Sequence, residues 1–372
     1  MNIIIAGDLS LQDRATRCVW DDFQVKKSFN SIRNAIKESD LALVNLESPI
    51  TDCKTPLLKD GPTLKNKSEV LNIIKYCGFN AVTLANNHLK DYGCQGVKDT
   101  IEYCQKSGIN IVGAGNHLNE ARKPLIVNCN DVKIGILNVC EHESSIATSS
   151  NAGTNPLDLT NLYYDISDLR QQVDVVIVII HGGREHYQLP TPRMKREYHL
   201  IADFGADVII NHHQHCYSGY EIYKGKPIFY GLGNFFFDNP RKRNDKWNYG
   251  LMLKLNFDYN TNFELIPYEQ CNAEPVISIR DYSIVKDEIE SLNTLIADNR
   301  KLEDAFEKLV DSTKPLYPFL PYGNHYLRAL YNRGYLPDCI SLTNKAKIDN
   351  AIRCETHREV LLSYLKKQLH DE

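Results

Sequence analysis

The chain has 372 residues, of which 42% are hydrophobic and 24% charged, and its formal net charge is −4. These values are ordinary for a globular protein of one large domain or two, and the acidic balance disfavours a nucleic-acid binder, which usually carries a basic face. The eleven cysteines are odd in number and form no CxxC pair. We therefore expect free thiols in a reducing compartment, rather than a disulfide framework or a zinc ion held by cysteines.

The sequence predicts neither a signal peptide nor membrane insertion. The short apolar run at residues 1–6 reaches Gly7 and Asp8 without a basic segment or a long apolar stretch. No other run approaches the roughly 20 apolar residues needed to cross a bilayer. We expect a cytoplasmic protein; the sequence does not indicate its oligomeric state.

Short apolar, β-branched runs recur along the first 210 residues, and polar residues follow each of them. Near-continuous apolar runs of this length are typical of strands that are buried on both faces of a sheet. Helical periodicity lies between them at 68–77, 95–106 and 193–204, with a glycine after each segment. This alternation predicts an α/β layered fold, whose sites lie beyond the carboxyl ends of the strands. The predicted strands are 3–6, 41–44, 81–84, 109–112, 134–139, 175–180 and 208–210.

The pattern changes after residue 227. Runs at 228–230, 231–237 and 249–257 predict antiparallel strands of a second sheet. From about residue 281 the sequence is charged and mostly helical, and the clearest predicted helices are 284–299, 301–312 and 348–370. We therefore divide the chain into a domain of residues 1–275 and a helical C-terminal region of residues 276–372.

A dense group of histidines follows the predicted strand 208–210. In Asn211-His212-His213-Gln214-His215, side chains at i and i+2 of an extended backbone point to the same side. His213 and His215 are therefore expected to bind one metal centre from a single loop, while His212 faces the other way.

Other strand ends supply further candidate ligands. Oxygen and imidazole donors suit Mn²⁺, Fe or Zn²⁺, and either Asp8 or Glu47 could bridge two ions through its two carboxylate oxygens. A two-metal site most commonly serves phosphate ester hydrolysis, because it activates water and holds both oxygens of an in-line displacement. The predicted metal ligands are Asp8, Glu47, Asn87, His181, His213 and His215.

Five more residues are candidates for roles around the metal. His88, three residues before Asp91, suits a general acid that a carboxylate orients, although it could simply pack in its loop. Arg184 could bind a substrate phosphate or carboxylate, and Glu185 could orient a ligand; a solvated loop charge is the alternative for each. Asn234 is expected to brace the metal-binding loops through hydrogen bonds.

These motifs, in their order and spacing over about residues 2–260, resemble the CapA (poly-γ-glutamate capsule biosynthesis) family. That family is similar to the calcineurin-like metallophosphoesterases. The resemblance implies a four-layer α/β/β/α sandwich with metals at the strand ends, the six candidates at ligand positions, and His88 near the leaving group. The motifs are Gly7-Asp8, Asn45-Leu46-Glu47-Ser48-Pro49, Ala85-Asn86-Asn87-His88 with Asp91-Tyr92-Gly93, Gly113-Ala114-Gly115, His181-Gly182-Gly183-Arg184-Glu185, His213-Gln214-His215 and Tyr230-Gly231-Leu232-Gly233-Asn234-Phe235.

The chain departs from the broader superfamily at two metal positions. The superfamily opens with Asp-x-His, but Ser10 stands at the histidine position here, and Glu47 stands where an aspartate is usual. One or two divalent ions are therefore expected. The leading hypothesis is a metal-dependent phosphoesterase that acts on a phosphorylated small molecule or a surface-polymer precursor. The alternatives are a non-hydrolytic accessory protein of poly-γ-glutamate or capsule biosynthesis, and a scaffold without turnover.

Overall fold

Two stacked β-sheets carry helices on their outer faces. The computed structural model describes residues 2–19, 22–129, 132–257, 261–313, 325–336 and 340–370. The strands are β1 (Asn2–Ser10), β2 (Leu41–Leu46), β3 (Ala81–Thr83), β4 (Asn110–Val112), β5 (Ala114–Gly115), β6 (Leu125–Cys129), β7 (Val132–Cys140), β8 (Gly153–Thr154), β9 (Val175–His181), β10 (Val208–His212), β11 (Tyr220–Tyr223), β12 (Lys226–Phe229), β13 (Asn234–Phe237), β14 (Tyr249–Phe257), β15 (Thr261–Gln270) and β16 (Ile277–Ile279).

The helices flank these strands along the chain, and two short 3-10 helices cover Asp13–Val19 and Lys246–Asn248. The α-helices are α1 (Asp22–Ile36), α2 (Val70–Cys77), α3 (Gly93–Lys106), α4 (Leu118–Ala121), α5 (Leu159–Arg170), α6 (Pro192–Phe204), α7 (Ser283–Ala297), α8 (Asn299–Thr313), α9 (His325–Asn332), α10 (Leu342–Arg353) and α11 (Glu355–His370).

The first sheet has the strand order β16-β15-β14-β1-β2-β3-β4, and β13 also pairs with β1. Strands β1 to β4 run parallel. The second sheet has the order β11-β12-β10-β9-β7-β6, with β7, β9, β10 and β12 parallel. The carboxyl ends of neighbouring parallel strands lie at one edge of each sheet, which is where polar residues were expected to gather.

Alternating side chains of β1 separate the two hydrophobic cores. Ile3 and Ile5 belong to the core shared with the second sheet, whereas Ile4 and Ala6 belong to the core formed with α1, α2 and α3. Helices α5 and α6 cover the second sheet with residues such as Ile166. The layers are therefore helix, sheet, sheet and helix, and the predicted four-layer α/β/β/α sandwich is confirmed.

All seven strands predicted in the first 210 residues are present, as are the three helices, with ends that differ by a few residues. Each of these helices is followed by a glycine with positive φ: Gly78 at 101°, Gly108 at 68° and Gly205 at 123°. Glycine ends a helix in this conformation without the steric cost that a Cβ atom imposes.

Two predictions about the later part of the chain are wrong. The strands after residue 227 do not form a separate antiparallel sheet: β12 runs parallel to β10 in the second sheet, β13 runs parallel to β1, and β14 runs antiparallel to β1. Apolar runs buried on both faces carry no signal of strand direction. The predicted helix 348–370 is two helices, because Cys354 has an extended backbone with ψ of 125°.

The C-terminal helices pack onto the sandwich. Val285, Ile289 and Ile296 of α7 lie in the core that the two sheets share, while Phe306 and Val310 of α8 pack against α11. The division between residues 1–275 and 276–372 stays a prediction. Strand β16, which belongs to the first sheet, lies beyond residue 275. In the described part of the chain, none of the helices combines the length and apolar character that crossing a membrane requires.

At Gly7, β1 lies directly against the loop before β13. A Cβ atom at this position would lie 1.8 Å from the backbone oxygen of Gly233. We therefore expect Gly7→Ala to lower the free energy of unfolding by about 3 kcal/mol or more, measured by urea titration. Gly61→Ala is the control, because Gly61 has open space and only a positive φ of 78°, which costs about 1–2 kcal/mol. Equal losses in the two variants would contradict the prediction.

Candidate metal centre

The strand ends bring the six predicted ligands together. Asp8 of β1 lies beside Asn45 of β2, and His181 of β9 lies beside His212 of β10. Glu47 follows β2, Asn87 follows β3, and His213 and His215 follow β10. All six side chains are buried. The layered fold therefore assembles one polar cluster from segments that are distant in sequence.

The donor atoms form two groups that share one residue. Glu47, His181 and His213 make up the first donor group, and Asp8, Glu47 and His215 make up the second. In each group the ligand atoms lie within 4.8 Å of one another. Asn87 adjoins the first group, since its Oδ1 is 3.1 Å from His181 Nε2. Glu47 is the residue that could bridge two ions.

Glu47 is a buried carboxylate of the cluster whose oxygens lack hydrogen-bond donors. Both of its carboxylate oxygens are buried, and no hydrogen-bond donor in the described part of the chain reaches them. Burial, together with the carboxylate of Asp8, raises the pKa of Glu47 well above its usual range. An ionised carboxylate without a partner costs several kcal/mol to bury, so a cation is the missing partner that best fits this position.

The imidazoles complete a donor set that suits a divalent metal. Burial, together with His213, lowers the pKa of His181 well below its usual value, and burial lowers the pKa of His213 to about 4. Both rings are therefore neutral near pH 7, which is the form that ligates metals. Neutral nitrogen donors combined with carboxylate oxygens fit Mn²⁺, Fe or Zn²⁺.

Asn234 fixes the orientation of His215. The Asn234 Nδ2 donates to the backbone oxygens of His215 and Trp247, at 3.3 and 3.2 Å, so its Oδ1 is the acceptor. His215 Nδ1 lies 2.9 Å from that oxygen and donates to it. The other ring nitrogen, Nε2, is then free and lies 3.7 Å from Glu47 Oε1. Asn234 thus selects the tautomer in which His215 can bind an ion from the second donor group.

The expected geometry of the histidine loop is wrong. His213 and His215 have φ of 95° and 56°, so the backbone is not extended there. Their rings point into different donor groups, with centroids 6.2 Å apart. His212 belongs to neither group; its Nδ1 lies 3.9 Å from Asp8 Oδ1, and neither ring nitrogen has a hydrogen-bond partner in the described residues.

His88 is held beside the cluster by Asp91. His88 Nδ1 lies 2.7 Å from Asp91 Oδ2, and Lys59 Nζ lies 2.5 Å from the other oxygen of that carboxylate. Burial, aided by Lys59, lowers the pKa of His88 against the opposing effect of Asp91. Sequence reasoning missed Lys59, because it lies in an irregular segment with no strand or histidine beside it.

A pocket of about 300 Å³ opens beside the second donor group. His88, Glu185 and His215 are among its lining residues, and so are His186 and Trp247, to which the sequence assigned no role. The His186 ring lies 5.7 Å from that of Trp247. The Arg184 side chain has no hydrogen-bond or ion-pair partner among the described residues.

Ser10 occupies the position where the resemblance leads one to expect a histidine. Its Oγ is 2.9 Å from Ser48 Oγ, which also accepts a 2.6 Å hydrogen bond from Asn66 Nδ2. Gln12 Nε2 donates to Ser10 as well, at 3.0 Å. Ser10 is therefore satisfied within the protein. The first donor group has four protein donors with Asn87, whereas the second has three.

Two curated relatives are similar to the part of the chain that carries this site. Capsule biosynthesis protein CapA of Bacillus anthracis is 30% identical over 247 residues, which are 64% of this chain and 60% of that protein. PGA biosynthesis protein CapA of Bacillus subtilis (strain 168) is 34% identical over 236 residues, which are 62% of this chain and 62% of that protein. The chain thus spans about three fifths of the length of each of these relatives.

Among solved structures, a hypothetical protein from Thermus thermophilus has a TM-score of 0.47 and 11% identity, covering 72% of this chain and 99% of that chain.

A family model described as bacterial capsule synthesis protein PGA_cap matches residues 2–239. The matched region contains all six predicted ligands as well as His88 and Asp91, and it covers more than half of the chain. The resemblance predicted from the sequence motifs is confirmed, and the chain belongs to the bacterial capsule synthesis protein PGA_cap family.

Proposed function

We propose that this protein is a metal-dependent hydrolase of phosphate esters. The buried carboxylate of Glu47, shared by two donor groups and left without a hydrogen-bond donor among the described residues, carries the proposal. Asp8 and His215 would hold one divalent ion with Glu47, while His181, His213 and Asn87 would hold the other. When bound, such ions supply Lewis acidity, which makes water a stronger acid and offsets negative charge on phosphoryl oxygens.

The protein's own residues supply proton transfer and substrate binding in this proposal. Asp91 accepts the Nδ1 hydrogen of His88, so Nε2 is the atom that would give a proton to the leaving oxygen, a step that requires the cationic ring with hydrogens on both nitrogens. His88 and His215 both line the pocket, which therefore receives the substrate next to the second donor group. Arg184 is a candidate for binding a phosphate or carboxylate of the substrate.

The proposed substrate is a phosphorylated small molecule or a surface-polymer precursor, and the metal is Mn²⁺, Fe or Zn²⁺. A net charge of −4 supports a substrate other than nucleic acid. We also propose a cytoplasmic location, since nine of the cysteines are free thiols, which suits a reducing compartment.

A second candidate function is a non-hydrolytic accessory role in capsule or poly-γ-glutamate synthesis, since the two Bacillus relatives are named as capsule and PGA biosynthesis proteins. Ser10 favours it, because a hydroxyl already bonded to Ser48 is a poorer metal ligand than an imidazole. Binding of poly-γ-glutamate by metal-loaded protein that hydrolyses no ester would select this candidate.

The hydrolase proposal predicts turnover that depends on Asp8. Wild-type protein with Mn²⁺ should release phosphate or alcohol from at least one member of a panel of phosphomonoesters and phosphodiesters. Asp8→Asn should lower that rate roughly 100-fold or more, because it removes a ligand charge from the second donor group. Asp52→Asn, a change at an exposed loop carboxylate, is the control and should match the wild type. Absence of turnover by the wild type across the panel would refute the hydrolase.

Because Glu47 belongs to both donor groups, its substitution is expected to affect ion binding more widely than substitution of a ligand of one group. Glu47→Gln should weaken the binding of both ions, because Glu47 belongs to both donor groups, whereas His215→Ala should weaken only one. Isothermal titration with Mn²⁺, combined with elemental analysis, measures the number of ions and their affinities. Two ions bound by Glu47→Gln as tightly as by the wild type would show that the carboxylate does not bridge.

A general acid at His88 predicts an effect that depends on the leaving group. His88→Asn should lower kcat about 10²- to 10⁴-fold for an alkyl phosphate and much less for p-nitrophenyl phosphate, whose leaving group needs little protonation. Metal content should not change. His117→Asn, at a half-exposed histidine beside Glu120, is the control. Equal losses for both esters would argue against proton transfer by His88.

A further inference from the structure

The last helix of the chain begins at the strand edge that carries the first donor group. Glu141 directly follows β7, whose final residue, Cys140, lies opposite His181 in β9. The first residues of α11 bond to this carboxylate: Thr356 Oγ1 donates to Glu141 Oε1 at 2.7 Å, and the Thr356 backbone nitrogen lies 3.4 Å from Oε2. Thr356 is fully buried and Glu141 is 3% exposed, so solvent does not compete for these bonds.

Glu141 also contacts the backbone that carries His181. Its backbone nitrogen donates to the His181 oxygen at 3.1 Å. Its side chain packs against Gly182 so closely that a Cβ atom there would lie 2.7 Å from Glu141 Cγ. Gly182 in turn donates from its nitrogen to the His212 oxygen at 3.2 Å. Glu141 therefore lies between α11 and the segment that positions a predicted metal ligand.

Paired charges hold α11 in this place. Arg193 of α6 donates to Glu141, and Glu359 of α11 accepts from the Arg193 backbone nitrogen at 3.0 Å. Glu355 accepts from His142, with its Oε1 2.6 Å from His142 Nδ1. Burial raises the pKa of Glu141, but Arg193 and Thr356 outweigh it and lower the pKa, so the carboxylate is ionised. The first turn of α11 is thus bonded both to the end of β7 and to the start of α6.

We propose that Glu141 is a positioning residue through which α11 supports the first donor group. By fixing the His181–Gly182 backbone, α11 sets the affinity of that group for its ion, an inference that rests on the proposed metal centre. Residues 355–370 lie outside the region that matches the family. The support is therefore a contribution of this chain's C-terminal region, to which neither its sequence nor the family match assigns a role.

The test measures ion binding in the full chain and uses Thr356, because Glu141→Gln would leave Arg193 with less charge to pair and could disturb folding. Thr356→Val keeps the shape of the side chain but removes the hydroxyl that donates to Glu141. We expect it to weaken Mn²⁺ binding at one of two sites about 10-fold, with the other site unchanged, as measured by isothermal titration. Thr356→Ser should restore the wild-type affinity.

Two further comparisons assign the effect to the first donor group. When combined with His215→Ala, which impairs the second donor group, Thr356→Val should still weaken the binding of the remaining ion. When combined with His181→Ala, it should cause no additional loss of ion affinity. Glu355→Gln is the matched control, because it loosens the same helix end through His142 without touching Glu141. The unfolding midpoint of metal-free Thr356→Val protein should be close to that of Glu355→Gln.

Unchanged ion binding in Thr356→Val would overturn the inference. The inference would also fail if Thr356→Val and Glu355→Gln weakened ion binding equally and in proportion to their loss of stability. The readout needs no substrate, so the two proposals can fail separately. A wild type that binds both ions but hydrolyses no ester refutes only the hydrolase. A hydrolytic wild type whose Thr356→Val variant binds ions normally refutes only the role of α11. A wild type that binds no ion in the first donor group refutes the role of α11, while the ester panel still decides the hydrolase by itself.

Discussion

The buried carboxylate of Glu47 is the constraint on which the site depends. It lies where the carboxyl ends of the strands of the two sheets meet. His181 of the second sheet lies beside it, and Asp8 of the first sheet is nearby. The sandwich brings two carboxylates and three histidines into one buried region, and such a cluster is unstable unless its charges are compensated. A bound cation is the simplest compensation, because it pairs both carboxylates and uses the neutral imidazoles as ligands.

The two donor groups are unequal, and this inequality follows from particular side chains. The first group has the amide oxygen of Asn87 as a fourth donor, and the hydrogen bonds of Glu141 support its backbone. The second group lacks a further ligand because Ser10 is bonded to Ser48 and Gln12, and it faces the open pocket. An ion there would have more coordination positions left for water or substrate. This matches the general difference between closed structural sites and open catalytic sites.

The sequence predicted the layered fold and the polar strand ends because both depend on local patterns. Apolar runs such as 175–180 are typical of strands buried on both faces, and the residue after such a strand lies at the site edge. Directions of the later strands could not be predicted, since the pairing of β13 and β14 with β1 is set by contacts between distant segments. The backbone paths at His213 and His215 were missed because positive φ is uncommon in non-glycine residues, even in histidine, where it occurs more often than in most. Lys59 and Glu141 could not be predicted either, because only tertiary contacts place them beside Asp91 and His181.

The central position of β1 has a consequence for how the protein is made. Asn2 pairs with Asn256 of β14, so β1 lacks one of its neighbours until residues 249–257 have been synthesised. At about 20 residues per second that delay is on the order of ten seconds. During this time the backbone groups of β1 that later bond to β14 are unpaired, and an unpaired strand edge favours pairing with other chains. Asp8 lies on this strand and His215 follows β10, so the second donor group cannot form until residue 215 has been synthesised.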